Sequence, residues 1–175
     1  MNKKIIAAAV LATSAFASLA NAADGTINFT GTVLATACTV NAASSTTQNV
    51  PMGNVAPSAF RAAGDTTLGG PISIVLSSCP AAVTSAVIKF DGTANATNSS
   101  LLALTNTSGV ATGLGIGIYE SNGTTMIPVG TSSASKTLST TAPTTFSFVT
   151  KYVATAATVT NGPANAVSNF TVSYN

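Results

Sequence analysis

Residues 169–175 read Asn169-Phe170-Thr171-Val172-Ser173-Tyr174-Asn175, a strict alternation of apolar and polar side chains that runs to the last residue. Successive side chains of a strand point to opposite faces, so this is a strand with Phe170, Val172 and Tyr174 on one face. Nothing blunts its edge: no proline interrupts it, and the nearest charge upstream is Lys151. Edge strands are usually protected by charge, proline or a bulge, because their unpaired N–H and C=O groups template pairing with another chain. The stretch therefore predicts an edge open to the addition of a strand from another molecule.

Working outward, the same period of two recurs at Ile72, Ile74 and Leu76, at Leu114, Ile116 and Ile118, and at Phe146, Phe148 and Tyr152. Val87–Phe90 and Leu101–Leu104 are shorter strand candidates. Turn clusters separate these runs: Gly69-Gly70-Pro71, Asp91-Gly92, Asn106–Gly109, Asn122-Gly123 and Asn161-Gly162-Pro163. Such residues supply a positive or a fixed φ and end strands. No window carries the i,i+4 charge pairs of an exposed helix, and a single short helical turn is expected near Pro57–Arg61. Many short strands at regular intervals indicate one all-β domain, an immunoglobulin-like antiparallel β-sandwich. The tryptophan of an antibody-type domain is absent.

A second alternating stretch lies near the N-terminus, where Ile27, Phe29, Gly31, Val33 and Ala35 share one face and mostly Thr and Asn the other. Periodicity alone fits an ordinary first strand. Gly31 does not, because a glycine within a strand weakens it unless a neighbouring surface comes too close for a side chain. Ahead of this stretch, Met1–Ala22 reads as a secretory signal peptide. Lys3 and Lys4 supply the positive start, an apolar run follows, and Ala20-Asn21-Ala22 is the cleavage site, so the mature chain begins at Ala23. Export bears on Cys38 and Cys79. In an oxidising compartment two cysteines most simply form one disulfide; the alternatives are a metal pair, which lacks further ligands, and two free thiols.

Composition removes several functions. Among 175 residues, 46% are apolar and 6% charged, with no His and no Trp. A Ser-His-Asp or Cys-His nucleophile is excluded, as are His-dependent metal sites, and no cofactor is implied. Beyond the signal peptide, Arg61, Lys89, Lys136 and Lys151 balance Asp24, Asp65, Asp91 and Glu120, so the mature chain is neutral and has no electrostatic footprint for nucleic acid. Asp65 and Asp91 adjoin glycines and read as turn residues, leaving no carboxylate pair for an enzyme. The rival reading is a secreted, self-contained carbohydrate-binding β-sandwich, which requires exposed aromatic side chains on one face.

Taken together, these residues resemble the major pilin of bacterial type 1 fimbriae, a subunit of the chaperone–usher pathway. The resemblance rests on Thr26–Val33 with its core Phe29-Thr30-Gly31, on the spacing of Cys38 and Cys79, which resembles that family's disulfide, and on Gly162 and the penultimate Tyr174. It implies an incomplete immunoglobulin-like sandwich completed by a donor strand. Residues 23–37 would be the donor-strand extension and 38–175 the pilin domain. Ile27, Phe29, Gly31, Val33 and Ala35 would enter the groove of an identical or related subunit. Phe170, Val172 and Tyr174 would line a groove edge that first pairs with a periplasmic chaperone, whose basic residues would hold the carboxylate of Asn175. An outer-membrane usher would be the place of exchange, and a cell-surface fimbria supporting adhesion the product.

Overall fold

The computed structural model describes residues 27–30, 37–40 and 47–175. The expected signal peptide, and Gly31, Val33 and Ala35, lie outside the described residues. The chain divides into two compact units, Met1–Val33 and Leu34–Asn175, and every described strand belongs to the second. These strands are β1 (Thr39–Val40), β2 (Thr66–Ser77), β3 (Ser85–Asp91), β4 (Leu114–Glu120), β5 (Met126–Ile127), β6 (Lys136–Thr137), β7 (Thr144–Ala154) and β8 (Asn169–Tyr174). A single 3-10 turn, Pro57–Ala59, stands where the short helical turn was expected. No helix among the described residues is long and apolar enough to cross a membrane.

All strand pairs are antiparallel and form two sheets, ordered β1-β2-β7-β4-β5 and β6-β3-β8. The immunoglobulin arrangement places strands A-B-E-D in one sheet and C-F-G in the other. In chain order β1, β2, β7 and β4 occupy A, B, E and D, while β3 and β8 occupy C and F. No described strand takes the G position beside β8. The period-two residues meet between the sheets: Ile74, Leu76, Ile88, Phe90, Phe146 and Phe148 are each 3% exposed or less. Phe90 and Phe148 join the layers edge to face, with ring centroids 5.0 Å apart.

Two local expectations are corrected. Gly69-Gly70-Pro71 is not a turn between strands. It lies inside β2, where the pairing to β7 shifts register between Leu68 and Pro71. The segment around Pro51 and Met52 crosses this bulge so closely that a Cβ on Gly69 would lie 2.6 Å from the Met52 sulfur, and one on Gly70 2.8 Å from the Pro51 carbonyl oxygen. The glycines permit a chain crossing, and crossing partners distant in sequence leave no local signal. Leu101–Leu104 is likewise no strand. It is a loop attached by the isolated bridge Leu102–Ile116, with Leu101 fully buried over Gly115 on the outer side of β4. The Asn122-Gly123 turn is as expected: Gly123 has φ +67°, and the Asn122 side-chain oxygen accepts from the N–H groups of Thr124 and Thr125.

Cys38 and Cys79 form a disulfide across a sequence separation of 41, tying the start of β1 to the chain just beyond β2. Replacing both by Ser is expected to lower the unfolding free energy by about 4 kcal/mol, on the loop-entropy account. The measurement is urea unfolding, the free energy being taken from the midpoint and the slope together, since freeing the unfolded chain also raises the slope. An unchanged free energy would mean that the bond does not restrain the unfolded chain.

Candidate functional site

The two sheets do not close against each other along β8. Between β8 and the β1–β2 side of the opposite sheet runs a groove of about 1100 Å³. Its floor is apolar and drawn from both sheets, including Ile74, Phe90, Ile116, Ile118 and Tyr152, with Leu102 added from the 101–104 loop, and no charged residue lines it among those described. One wall is β8. Strand alternation turns Phe170, Val172 and Tyr174 towards the core, where they are half-buried, and leaves Asn169, Thr171 and Ser173 exposed. On its inner side β8 pairs with β3, with Phe170 opposite Phe90, Val172 opposite Ile88 and Tyr174 opposite Ala86. Its outer edge has no strand partner among the described residues. The facing wall is Val40 together with the segment Thr47–Gly53.

Polar pins hold this geometry. The Thr150 hydroxyl, buried in the apolar stripe of β7, donates to the Gly70 carbonyl at 2.6 Å. Met52 sulfur lies 3.0 Å from the same hydroxyl, so the bulge, the crossing segment and β7 meet at one end of the groove. The Tyr152 hydroxyl donates to the Ala164 carbonyl at 3.0 Å, anchoring the segment that leads into β8. Burial raises the pKa values of Tyr152 and Tyr174 above that of a free phenol, and a backbone hydrogen bond from Cys38 opposes the rise at Tyr174. That bond links β8 to the start of β1.

The expected site residues are distributed as follows. Phe170, Val172 and Tyr174 do line the groove. Asn175 continues the pairing with the start of β3: its backbone oxygen accepts from Thr84 N–H at 2.9 Å and its N–H donates to the Ser85 carbonyl at 2.9 Å. Gly162 does not line the groove. It has φ +149° and is pressed against the loop at Gly109–Ala111, where a Cβ would lie 2.1 Å from the Gly109 carbonyl oxygen. It acts at a distance, letting the chain pass that loop before the 164–168 segment. Ile27 and Phe29 are 79% and 93% exposed. Sequence reasoning missed Gln48, Met52 and Thr150, and took Leu102 for part of a strand. Thr150 carried a signal, since it is a polar residue at the apolar period between Phe148 and Tyr152; Gln48 and Met52 carried none.

The family model described as "Fimbrial protein" matches residues 27–175. The chain belongs to the fimbrial protein family. It is 36% identical to long polar fimbria protein A of Salmonella typhimurium, over 98% of this chain and 97% of that protein. With the type-1 fimbrial protein A chain of Salmonella typhi it shares 38% identity, over 86% of this chain and 82% of the relative. Among solved structures, a type I fimbria protein and antigen of Burkholderia pseudomallei is 37% identical with a TM-score of 0.60, over 86% of this chain and 97% of that one. The P pilus rod subunit PapA shares the fold alone, with a TM-score of 0.62 at 19% identity over 80% of this chain and 100% of that one. The fimbrial chain is thus a structural subunit and not an enzyme, a component of surface fimbriae that requires export, with other pilin subunits as its partners.

The raised tyrosine values make a prediction for this fimbrial domain. A phenol whose folded pKa lies above its unfolded one stabilises the fold fully below the unfolded pKa, and that contribution is lost as pH rises through the folded one. Stability is therefore expected to begin falling above about pH 10, and Tyr152→Phe to lessen that fall. Thermal unfolding across alkaline pH measures it; identical pH profiles for the two chains would contradict the role given to Tyr152.

Proposed function

We propose that the fimbrial subunit polymerises by donor-strand exchange, the groove along β8 receiving residues 23–37 of another subunit. The observation that carries the reading is the combination of an uncharged groove with an apolar floor and an outer edge of β8 that has no strand partner among the described residues, where the immunoglobulin arrangement has its seventh strand. An incoming strand satisfies the backbone groups of β8 and places alternate side chains in the groove. Ile27, Phe29 and Val33 would bury about 1.5–3 kcal/mol each, with Gly31 and Ala35 where the groove admits no larger side chain. The exposure of Ile27 and Phe29 supports their availability to another molecule. Because donor and acceptor surfaces differ, the contact is head to tail and builds a filament.

Before assembly the same groove would be held by a periplasmic chaperone, with Phe170, Val172 and Tyr174 as the wall it pairs against and Asn175 as its anchor. Exchange would follow at an outer-membrane usher, and the finished fimbria would support adhesion. Gly162 serves by setting the path of the chain into β8. The carbohydrate-binding alternative finds no support in the groove, whose aromatic residues Phe90, Tyr152, Phe170 and Tyr174 are buried or half-buried.

Deleting Gly25–Ala35 is expected to leave a chain that still binds a chaperone and no longer forms fibres. Electron microscopy of cells expressing it decides the matter, and normal fibres would refute the donor role. Tyr174→Ala, which removes the contact to Cys38 and part of the groove wall, is expected to lower the periplasmic level of the subunit several-fold. An immunoblot showing an unchanged level would count against chaperone capture along β8.

A further inference from the structure

The sandwich has other strand edges, and they are defended. The outermost strands besides β8, namely β1, β5 and β6, are two residues long, whereas β8 has six. Very short edge strands offer an incoming chain too little backbone to pair with. The remaining exposure is on β2. Among the described residues β1 covers its outer edge at Leu76 and Ser77, and the edge runs on past them towards Ser73 and Pro71.

At Ser73 the partner is a side chain. Ser73 N–H donates to Gln48 Oε1 at 3.4 Å, and the Ser73 carbonyl accepts from Gln48 Nε2. A primary amide carries an acceptor and a donor on one planar group, the same pair that a peptide unit offers. Gln48 thus gives Ser73 both bonds that a neighbouring strand would give. On either side the edge is also closed. Val75 has a partner of its own, Pro71 has no N–H to offer, and Pro51 lies against Gly70. Gln48 and Ser73 are both exposed, within reach of another chain. Elsewhere such edges are often protected by lysine, but this chain has little charge to spend there, and a neutral amide performs the task.

We propose that Gln48 is an edge-mimicking residue that denies β2 to incoming strands and leaves β8 as the one long edge among the described strands able to accept one. The proposal deepens the donor-strand reading and rests on it for the role of β8. Gln48 is also one side chain of the groove wall, but the distinguishing effect of its loss is at β2: it would open a second, wrong place for a strand to add, turning head-to-tail growth into lateral sheet association.

The test uses the full chain and a peptide of residues 25–37 in excess, which occupies the groove. Gln48→Met keeps the length of the side chain and removes both hydrogen bonds. This variant is expected to aggregate under conditions where the unsubstituted chain with peptide stays monomeric by light scattering, and adding Ser73→Pro, which removes the exposed donor, is expected to restore the monomer. Exchange of the Ser73 amide hydrogen is expected to accelerate by about tenfold or more in Gln48→Met. A Gln48→Met chain that stays monomeric, or whose Ser73 exchange is unchanged, overturns the proposal. If the peptide does not bind the unsubstituted chain, it is the donor-strand reading that fails, and the exchange rate at Ser73 then decides the role of Gln48 alone.

Discussion

Every buried or half-buried backbone N–H and C=O needs a partner, and in a sandwich those partners come from adjacent strands. Among the described residues β8 meets this requirement on one side only. Its inner edge is satisfied by β3 over Ala86–Asp91, while its outer edge borders an apolar groove that a strand of the right alternation can fill. The rest of the molecule is organised around that asymmetry. The sheet order reproduces six positions of a seven-strand immunoglobulin arrangement, and the position without a described strand is the one next to β8.

Other features support the groove without entering it. The disulfide fastens the start of β1 to the end of β2, and the Tyr174 contact with Cys38 brings β8 to the same corner. At the other end Thr150, Met52 and the Gly69–Gly70 bulge lock the crossing segment to the sheet, and Tyr152 fixes Ala164. The groove is therefore bounded by covalent and hydrogen-bonded corners, while its floor is apolar and its lining carries no charge among the described residues. An apolar surface left in this state is an aggregation hazard for an ordinary monomer. In the donor-strand reading proposed above it is the assembly surface, and the hazard is confined by keeping the other described edges two residues long or capped.

Low charge, which excluded nucleic-acid binding and most catalysis, also shapes how the surface is protected. With few lysines to place at edges, the chain relies on short strands, proline, glycine crossings and one side-chain amide. These devices depend on where segments pass one another, which explains why they were hard to foresee.

Alternation alone determined the class of fold and the open strand. Phe170, Val172 and Tyr174 could be assigned to one face because a strand has a period of two whatever surrounds it, and the same holds for the core residues of β2, β4 and β7. Cys38 and Cys79 could be paired because export leaves two cysteines few alternatives. What sequence could not decide was how distant segments cross. Gly69-Gly70-Pro71 looked like a turn because its residue types are those of turns, and only the passage of Pro51 and Met52 over it makes it a bulge. Leu101–Leu104 looked like a strand because burial, not pairing, placed its leucines. Gln48 and Thr150 became wall and pin through contacts with residues 25 and 80 positions away. Local period is a property of a few neighbouring dihedrals, whereas these contacts exist only once the two sheets have packed.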